Sequence, residues 1–285
     1  MKPILVHLHI YYVDLYEELK KCILNIVSYE FDLFITMVEE HSEIISDIKT
    51  TFPNAKIKIV ENRGYDVGPF IGIINEVDLD KYSYVVKLHT KRNMKQNSLL
   101  NYFDVSGSKW RNYALDFLSS ANKFKHCIEV LEKNNNIGMV SNYRLILRDE
   151  YDDKIAQQEA IKLLKKLGYK TVSYGFVAGT MFIMRSELLK PLLKLQLKIK
   201  DFVCPDSMHT SNIAHVMERL LGCLVLAEKQ DISDVLTKRQ YLIPFIKFLM
   251  MVKFYTFKKK ISNRGILTIK ICKIPVYRRK INDYD

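Results

Sequence analysis

No uninterrupted apolar run in this chain reaches the roughly 18 to 20 residues that a membrane-crossing helix needs, so the sequence offers no spanning segment. Cysteine is scarce: Cys22, Cys127, Cys204, Cys223 and Cys272 are odd in number, far apart and mostly set among apolar residues. That pattern fits neither a disulfide framework nor a zinc site and reads as buried thiols. Internal repeats and low-complexity linkers are missing as well. The N-terminal Met1-Lys2-Pro3-Ile4 runs into a strand pattern rather than a secretory signal, and a cytoplasmic location is expected. Acidic residues are outnumbered, 32 Asp and Glu against 44 Lys and Arg, for a formal net charge of +12. From Tyr241 to Asp285 eleven Lys or Arg face two Asp, a net of +9 that leaves +3 for residues 1 to 240. The tail is therefore where an acidic lipid surface or a nucleic acid would be attracted.

A hydrophobic content of 48% over 285 residues is enough for a large core, formed as one domain or one domain with an appendage. Pro3 to Tyr11 reads as a strand of alternating apolar and His positions. Asp14 is then expected to cap a helix through Ile26 whose apolar residues recur at helical spacing. Strands at Phe31 to Val38, Ala55 to Val60 and Tyr82 to Leu88 alternate with helices at Ser42 to Thr50 and Pro69 to Val77. Such alternation predicts an α/β fold with a mainly parallel sheet flanked by helices. Right-handed crossovers bring the carboxyl ends of the strands to one edge, so Tyr11, Asn62 to Asp66 and Lys87 to Arg92 are expected along a common crevice. Helices are predicted at Trp110 to Asn122 and Phe124 to Asn134, a strand at Ile137 to Ser141, a helical connection at Asp149 to Leu167, a helix from Ser186 to about Leu195, and a last core helix at Ser211 to Leu221. Boundaries near residues 1–235 and 236–285 separate this core from the basic, apolar extension.

Glu61-Asn62-Arg63-Gly64-Tyr65-Asp66-Val67-Gly68-Pro69-Phe70 ends a strand and opens a helix, a place where free N–H groups and the helix dipole favour an anion. Gly64 and Gly68 permit close backbone approach, Arg63 can clamp a phosphate or stack on a base, and Asp66 can hold a ribose or sugar hydroxyl. The plain alternative is a structural turn with a surface ion pair. Lys87, His89, Lys91 and Arg92 crowd the end of a buried strand, and uncompensated buried cations are costly. A bound diphosphate is one partner for them; nearby carboxylates are the other. His7 and His9 lack clear third and fourth ligands and read as core histidines or as histidines supporting a site from behind. Tyr11 and Tyr12 end the first strand and could stack on a nucleobase.

Taken with Phe176-Val177-Ala178-Gly179-Thr180-Met181-Phe182 and Ala214-His215-Val216-Met217-Glu218-Arg219-Leu220, the Asn-Arg-Gly turn and the Lys87-Leu88-His89-Thr90-Lys91 strand end resemble the rhamnan synthesis protein F family over roughly residues 1 to 225. The resemblance implies a GT-A-like, Rossmann-like glycosyltransferase of bacterial surface polysaccharide synthesis. It would pass a sugar, L-rhamnose from dTDP-rhamnose, to a lipid-linked saccharide; the alternative is a non-catalytic nucleotide-sugar or glycan-binding assembly subunit. Donor contacts are expected from Tyr11, Asn62, Arg63, Gly64, Asp66, Lys87, His89, Lys91 and Arg92, and sugar contacts from Gly179 and Thr180. An acceptor hydroxyl must lose its proton, and Glu218, Asp206 and Asp66 are candidate bases, with His215 beside Glu218. GT-A enzymes usually carry an Asp-x-Asp pair for a divalent metal where this chain has Lys87-Leu88-His89-Thr90-Lys91. The expectation is therefore donor activation by cations without a metal cofactor, Mg²⁺ or Mn²⁺ remaining open. The run Tyr241 to Tyr255, followed by Lys258-Lys259-Lys260, is apolar and basic enough to lie in a lipid interface. The expected place is the inner face of the cytoplasmic membrane, with no nucleic acid as partner. The alternative is a helix packed on the core or on a second subunit.

Overall fold

The computed structural model describes residues 2–92, 107–148, 154–170, 173–204 and 212–234, together with the strands 257–261, 266–271 and 274–280. Contacts divide the chain into two units, 1–235 and 236–285. In chain order the first unit runs β1 (Ile4–Ile10), α1 (Tyr16–Leu24), β2 (Phe31–Met37), α2 (Ser42–Thr51), β3 (Lys56–Ile59), α3 (Val67–Glu76), β4 (Tyr84–His89), α4 (Gly107–Ala114) and α5 (Ala121–Lys133). It continues with β5 (Ile137–Ser141), β6 (Ile146–Leu147), α6 (Lys154–Lys166), β7 (Phe176–Val177), β8 (Phe182–Arg185), α7 (Lys190–Leu193), α8 (Ile213–Ala227) and β9 (Asp231–Asp234). The second unit has an antiparallel meander, β10 (Phe257–Ile261), β11 (Ile266–Ile271) and β12 (Ile274–Lys280). The apolar run Tyr241 to Tyr255 lies outside the described residues. Among the described residues no helix is long and apolar enough to cross a membrane.

Seven strands form the central sheet in the order β3-β2-β1-β4-β8-β5-β9. The first four are mutually parallel and β5 and β9 pair in parallel, while β8 runs antiparallel between β4 and β5. The expected α/β architecture with a mainly parallel sheet is what is seen. Strands β2 and β3 step away from β1 on one side and β4 lies on the other, so the strand order reverses between β1 and β4. In open α/β sheets ligands collect outside the carboxyl ends of the strands at such a switch point.

Every residue of β1 and of β4 is buried, because helices cover both faces of these central strands. The polar members His7, His9, Lys87 and His89 are thus the anomaly. Parallel register sets His7 beside Lys87 and His9 beside His89, with Thr36 of β2 next to His9. A polar seam crosses three strands inside an otherwise apolar layer.

Several boundaries differ from expectation. Asp14 caps no helix: Val13–Leu15 is a single 3₁₀ turn and the Asp14 carboxylate accepts from Arg92 instead, at 2.9 Å. The stretch predicted as one helix from Trp110 to Asn122 breaks after Ala114, and α5 starts anew at Ala121 because the Ser120 hydroxyl accepts the Lys123 N–H. The segment after Arg185 is mostly a 3₁₀ turn, with only Lys190–Leu193 helical. Conversely α8 extends six residues past Leu221, since Gly222 to Ala227 continue its buried face.

Candidate functional site

Two cavities open beside the carboxyl ends of β1 and β4. One, of about 210 Å³, is lined by His9, Tyr11, Tyr12, Asn62, Tyr65, Asp66, His89, Thr90 and Lys91. The other, of about 310 Å³, shares Tyr11, Tyr12 and Asn62 with it and adds Asp14, Glu39, His41 and Arg92. Tyr11, Tyr12 and Asn62 are therefore common walls, and the two aromatic rings meet edge to face at 4.9 Å.

Asp66 is the hub of the first cavity. It follows Tyr65, which takes a left-handed φ of 54°, and precedes α3. Its side chain does not cap that helix; one oxygen accepts from Lys87 Nζ and from Thr180 Oγ1, the latter at 2.5 Å. Lys87 Nζ also donates to Thr180 Oγ1 at 2.8 Å and to its carbonyl at 3.3 Å. Thr180 itself sits at a φ of 52° behind Gly179 at 80°. Left-handed backbone at two non-glycine residues costs of order 1–3 kcal/mol each and persists only where surrounding contacts enforce it. Here the contact enforced is the Lys87–Asp66–Thr180 knot.

Burial opposes ionisation of Asp66, but the positive field from the His89 and Lys87 side, with the hydrogen bonds from Lys87 and Thr180, holds its carboxyl well below the ordinary range. Lys87 supplies that field, because His89 is neutral near pH 7. Burial drives the His89 imidazole down to about 3 against the opposing pull of Asp66. The same cause lowers His9 to about 4 and His7 well below 6.5. Thr36 Oγ1 bridges His7 Nε2 at 2.9 Å and His9 Nδ1 at 3.0 Å. His89 stands 3.4 Å from Asp66, yet neither of its ring nitrogens has a hydrogen-bond partner among the described residues.

The expected donor residues therefore divide. Tyr11, Asn62, Asp66, His89 and Lys91 do converge on one cavity, with Lys91 Nζ also 5.1 Å from the centre of the Trp110 ring. Arg92 belongs to the neighbouring cavity, paired with Asp14 and lying over the Tyr12 ring. Lys87 is 0% exposed and its charge is already answered by Asp66, so it does not reach a ligand phosphate in this state. A nearby carboxylate, one of the two partners expected for it, does pair with it. Arg63 is turned away onto Glu61, at 2.7 Å, and onto the carbonyl of Phe202, at 3.1 Å. Gly64, at a φ of 69°, owes its missing side chain to packing: a Cβ there would stand 2.5 Å from the Phe202 ring.

Glu218 on α8 accepts the Gly179 N–H at 2.8 Å and a hydrogen bond from Arg219 at 3.2 Å. His215 stacks on Tyr65 with ring centres 5.8 Å apart and planes 12° from parallel. The α8 helix thus touches the cavity wall at Tyr65 and, through Gly179, holds the turn whose Thr180 bonds Asp66. Asp206 lies outside the described residues. Among the described residues no group of three or more His, Cys, Asp or Glu side chains could hold a metal. A carboxylate-bound divalent ion does not fit the cavity, whose one carboxylate, Asp66, is committed to Lys87 and Thr180.

Sequence reasoning passed over Thr90, whose hydroxyl accepts the N–H groups of both Tyr11 and Tyr12 at 2.9 Å. Its place between His89 and Lys91 was visible; partners 78 and 79 residues away were not.

These features define an α/β protein with a polar, aromatic-walled cavity at the switch point of its sheet. The chain belongs to the rhamnan synthesis protein F family, whose model matches residues 1–230 and whose name places it in polysaccharide synthesis. Two curated relatives, the uncharacterized proteins WxcX of Xanthomonas campestris pv. campestris strains B100 and ATCC 33913, are each 25% identical over 238 residues. That alignment covers 80% of this chain and 32% of either relative, so the chain spans about a third of their length. Among solved structures, Staphylococcus aureus TarS 1-349 superposes with a TM-score of 0.39 at 8% identity, covering 88% of this chain and 65% of that one. The 4-diphosphocytidyl-2C-methyl-D-erythritol synthase of Anaerococcus prevotii gives 0.38 at 13% identity, over 87% and 96%. Superpositions this loose do not decide an activity.

Proposed function

We propose that the chain is a GT-A-like glycosyltransferase that binds a nucleotide-diphosphate sugar at the β1–β4 switch point and passes the sugar to a glycan acceptor. The observation that carries this reading is the cavity of about 210 Å³, in which three tyrosines, an amide, two neutral imidazoles, a hydroxyl, a carboxylate and one ammonium converge. Aromatic faces suit a sugar or base, and the few polar groups fix its orientation. The adjoining cavity behind Tyr11 and Tyr12 has room for the nucleoside. Family membership favours L-rhamnose from a dTDP donor, passed to a lipid-linked saccharide at the inner membrane face, where the +9 tail would meet anionic lipid.

In transfer, the acceptor oxygen bonds to the anomeric carbon as the bond to the diphosphate breaks, with its electron pair leaving on the diphosphate. Lys91 and, once released from Asp14, Arg92 would offset that charge without a metal; Lys87 would act one step back, by holding Asp66 in place. The acceptor proton needs a base. Glu218 has two donors on its carboxylate but four lone-pair sites, so it can still accept, with His215 beside it; Asp206 is the other candidate. A second reading, a binding subunit without turnover, is favoured by one feature: both described candidate carboxylates, Asp66 and Glu218, are already engaged.

A panel of dTDP-, UDP- and GDP-sugars, with and without chelator, separates these readings. A preferred donor at about 100 times its Kd raises stability by about 2.7 kcal/mol, and the enzyme also releases nucleoside diphosphate. Stabilisation without turnover selects the binding subunit, and a strict Mn²⁺ requirement ends the metal-free account. Equal binding to anionic vesicles by a chain ending at Thr237 removes the tail from membrane attachment.

A further inference from the structure

We propose that Thr90 is a ligand-contacting residue, an obligate hydrogen-bond donor to a phosphate oxygen of the nucleoside diphosphate; this rests on the nucleotide-sugar reading above. A threonine hydroxyl has two acceptor lone pairs and one proton. Both lone pairs of Thr90 Oγ1 are used, since the oxygen accepts the Tyr11 N–H and the Tyr12 N–H, each at 2.9 Å. Its backbone N–H is used too, donating to the His9 carbonyl at 3.0 Å. The hydroxyl proton is left with the remaining tetrahedral direction, away from the β1 exit loop, and no acceptor among the described residues takes it. Thr90 is only 3% exposed, so the cavity is where a partner for that proton would sit. A buried donor without a partner is expensive, and this one lines the cavity.

The neighbours decide what should meet that proton. Lys91 lies on the same wall and contributes a positive charge, while His89, without a hydrogen-bond partner among the described residues, is a neutral group able to donate a ring N–H. A proton that can only be given, next to an ammonium and a second potential donor, matches an anionic oxygen better than a sugar hydroxyl, which would also bring a proton of its own. The two N–H bonds fix the oxygen in advance, so no rearrangement is needed when the phosphate arrives. Thr90 thereby ties the β1 exit, with Tyr11 and Tyr12, to the β4 exit and turns the joint itself toward the ligand.

The test compares full-length wild type, Thr90→Ser and Thr90→Val by calorimetric titration with the diphosphates dTDP, UDP and GDP and their parent nucleosides. A hydrogen bond to a charged acceptor corresponds to a loss of about 10- to 150-fold. Thr90→Val should lose diphosphate affinity by that factor over and above any loss of nucleoside affinity; Thr90→Ser should keep both. Thr90→Val also strips the Tyr11 and Tyr12 N–H groups of their acceptor. If it does not fold, Thr90→Cys, similar in size with only a weak S–H donor, is read by the same diphosphate-to-nucleoside ratio. A merely structural role lowers both affinities together and leaves that ratio unchanged, which overturns the proposal, as does an unchanged diphosphate affinity in Thr90→Val. Wild type that binds none of the three diphosphates overturns the nucleotide-sugar reading beneath it as well.

Discussion

Neutralising Lys87 without its partner should be among the most damaging single changes available to this chain. Lys87 is 0% exposed, and it reaches no water: its ammonium is surrounded by the Asp66 carboxylate, the Thr180 hydroxyl and carbonyl, and the Phe70 ring 5.5 Å away. Lys87→Met leaves Asp66 with a hydrogen bond from Thr180 but no compensating charge, and Asp66→Asn leaves a buried ammonium facing an amide. Breaking a buried pair from one side costs about 3–5 kcal/mol, whereas replacing both charges together removes the mismatch. The double variant should therefore cost about 1–3 kcal/mol less than the sum of the singles. For a chain of this size each single change corresponds to a fall in Tm of about 6 to 20 °C. The assay is urea unfolding followed by tryptophan emission, because the sole tryptophan, Trp110, is buried in the first unit against Gly179 and reports on that unit alone. Strict additivity, or a cost below about 1 kcal/mol for Lys87→Met, would show that the pair is not what holds Asp66 in the cavity wall.

Acid should destabilise the fold well before the carboxylates titrate. His7, His9 and His89 have folded pKa values below their unfolded value near 6.5, so the unfolded chain binds more protons and stability falls as pH drops below that value toward about 4 for His9 and about 3 for His89. With all three taking part the slope approaches 4 kcal/mol per pH unit; a flat profile between pH 6.5 and 5 refutes it. The lowered Asp66 acts in the same direction, its contribution being present above about pH 4 and lost below it. Gly179→Ala should cost about 2–5 kcal/mol and shift Trp110 emission, combining a left-handed φ of 80° with a Cβ driven into the indole. Gly72→Ala is the contrast: it sits inside α3 with nothing within 4 Å of the added carbon, and a gain of about 0.5–1 kcal/mol is expected in the same unfolding assay.

The alternation of strand and helix from Pro3 to Leu88, and the placing of Tyr11, Asn62, Asp66, His89 and Lys91 at strand ends, follow from local pattern. Apolar periodicity dictates which segments are buried strands and which are amphipathic helices, and those choices bring the strand ends to one edge. The order of residues also exposed the polar anomaly, His7 and His9 in one buried strand, Lys87 and His89 in another. What the linear pattern could not determine was how those anomalies pair. Register alone sets His7 against Lys87 and His9 against His89. Tertiary packing brings Thr180, from a turn 93 residues beyond Lys87, to share Asp66 with it. Tertiary structure likewise decided that Arg63 turns away, that Gly64 serves Phe202, and that Thr90 spends both lone pairs on β1. The physical reason is that burial makes every charge and hydrogen bond find a partner in space, and the partner closest in space is here seldom close in sequence.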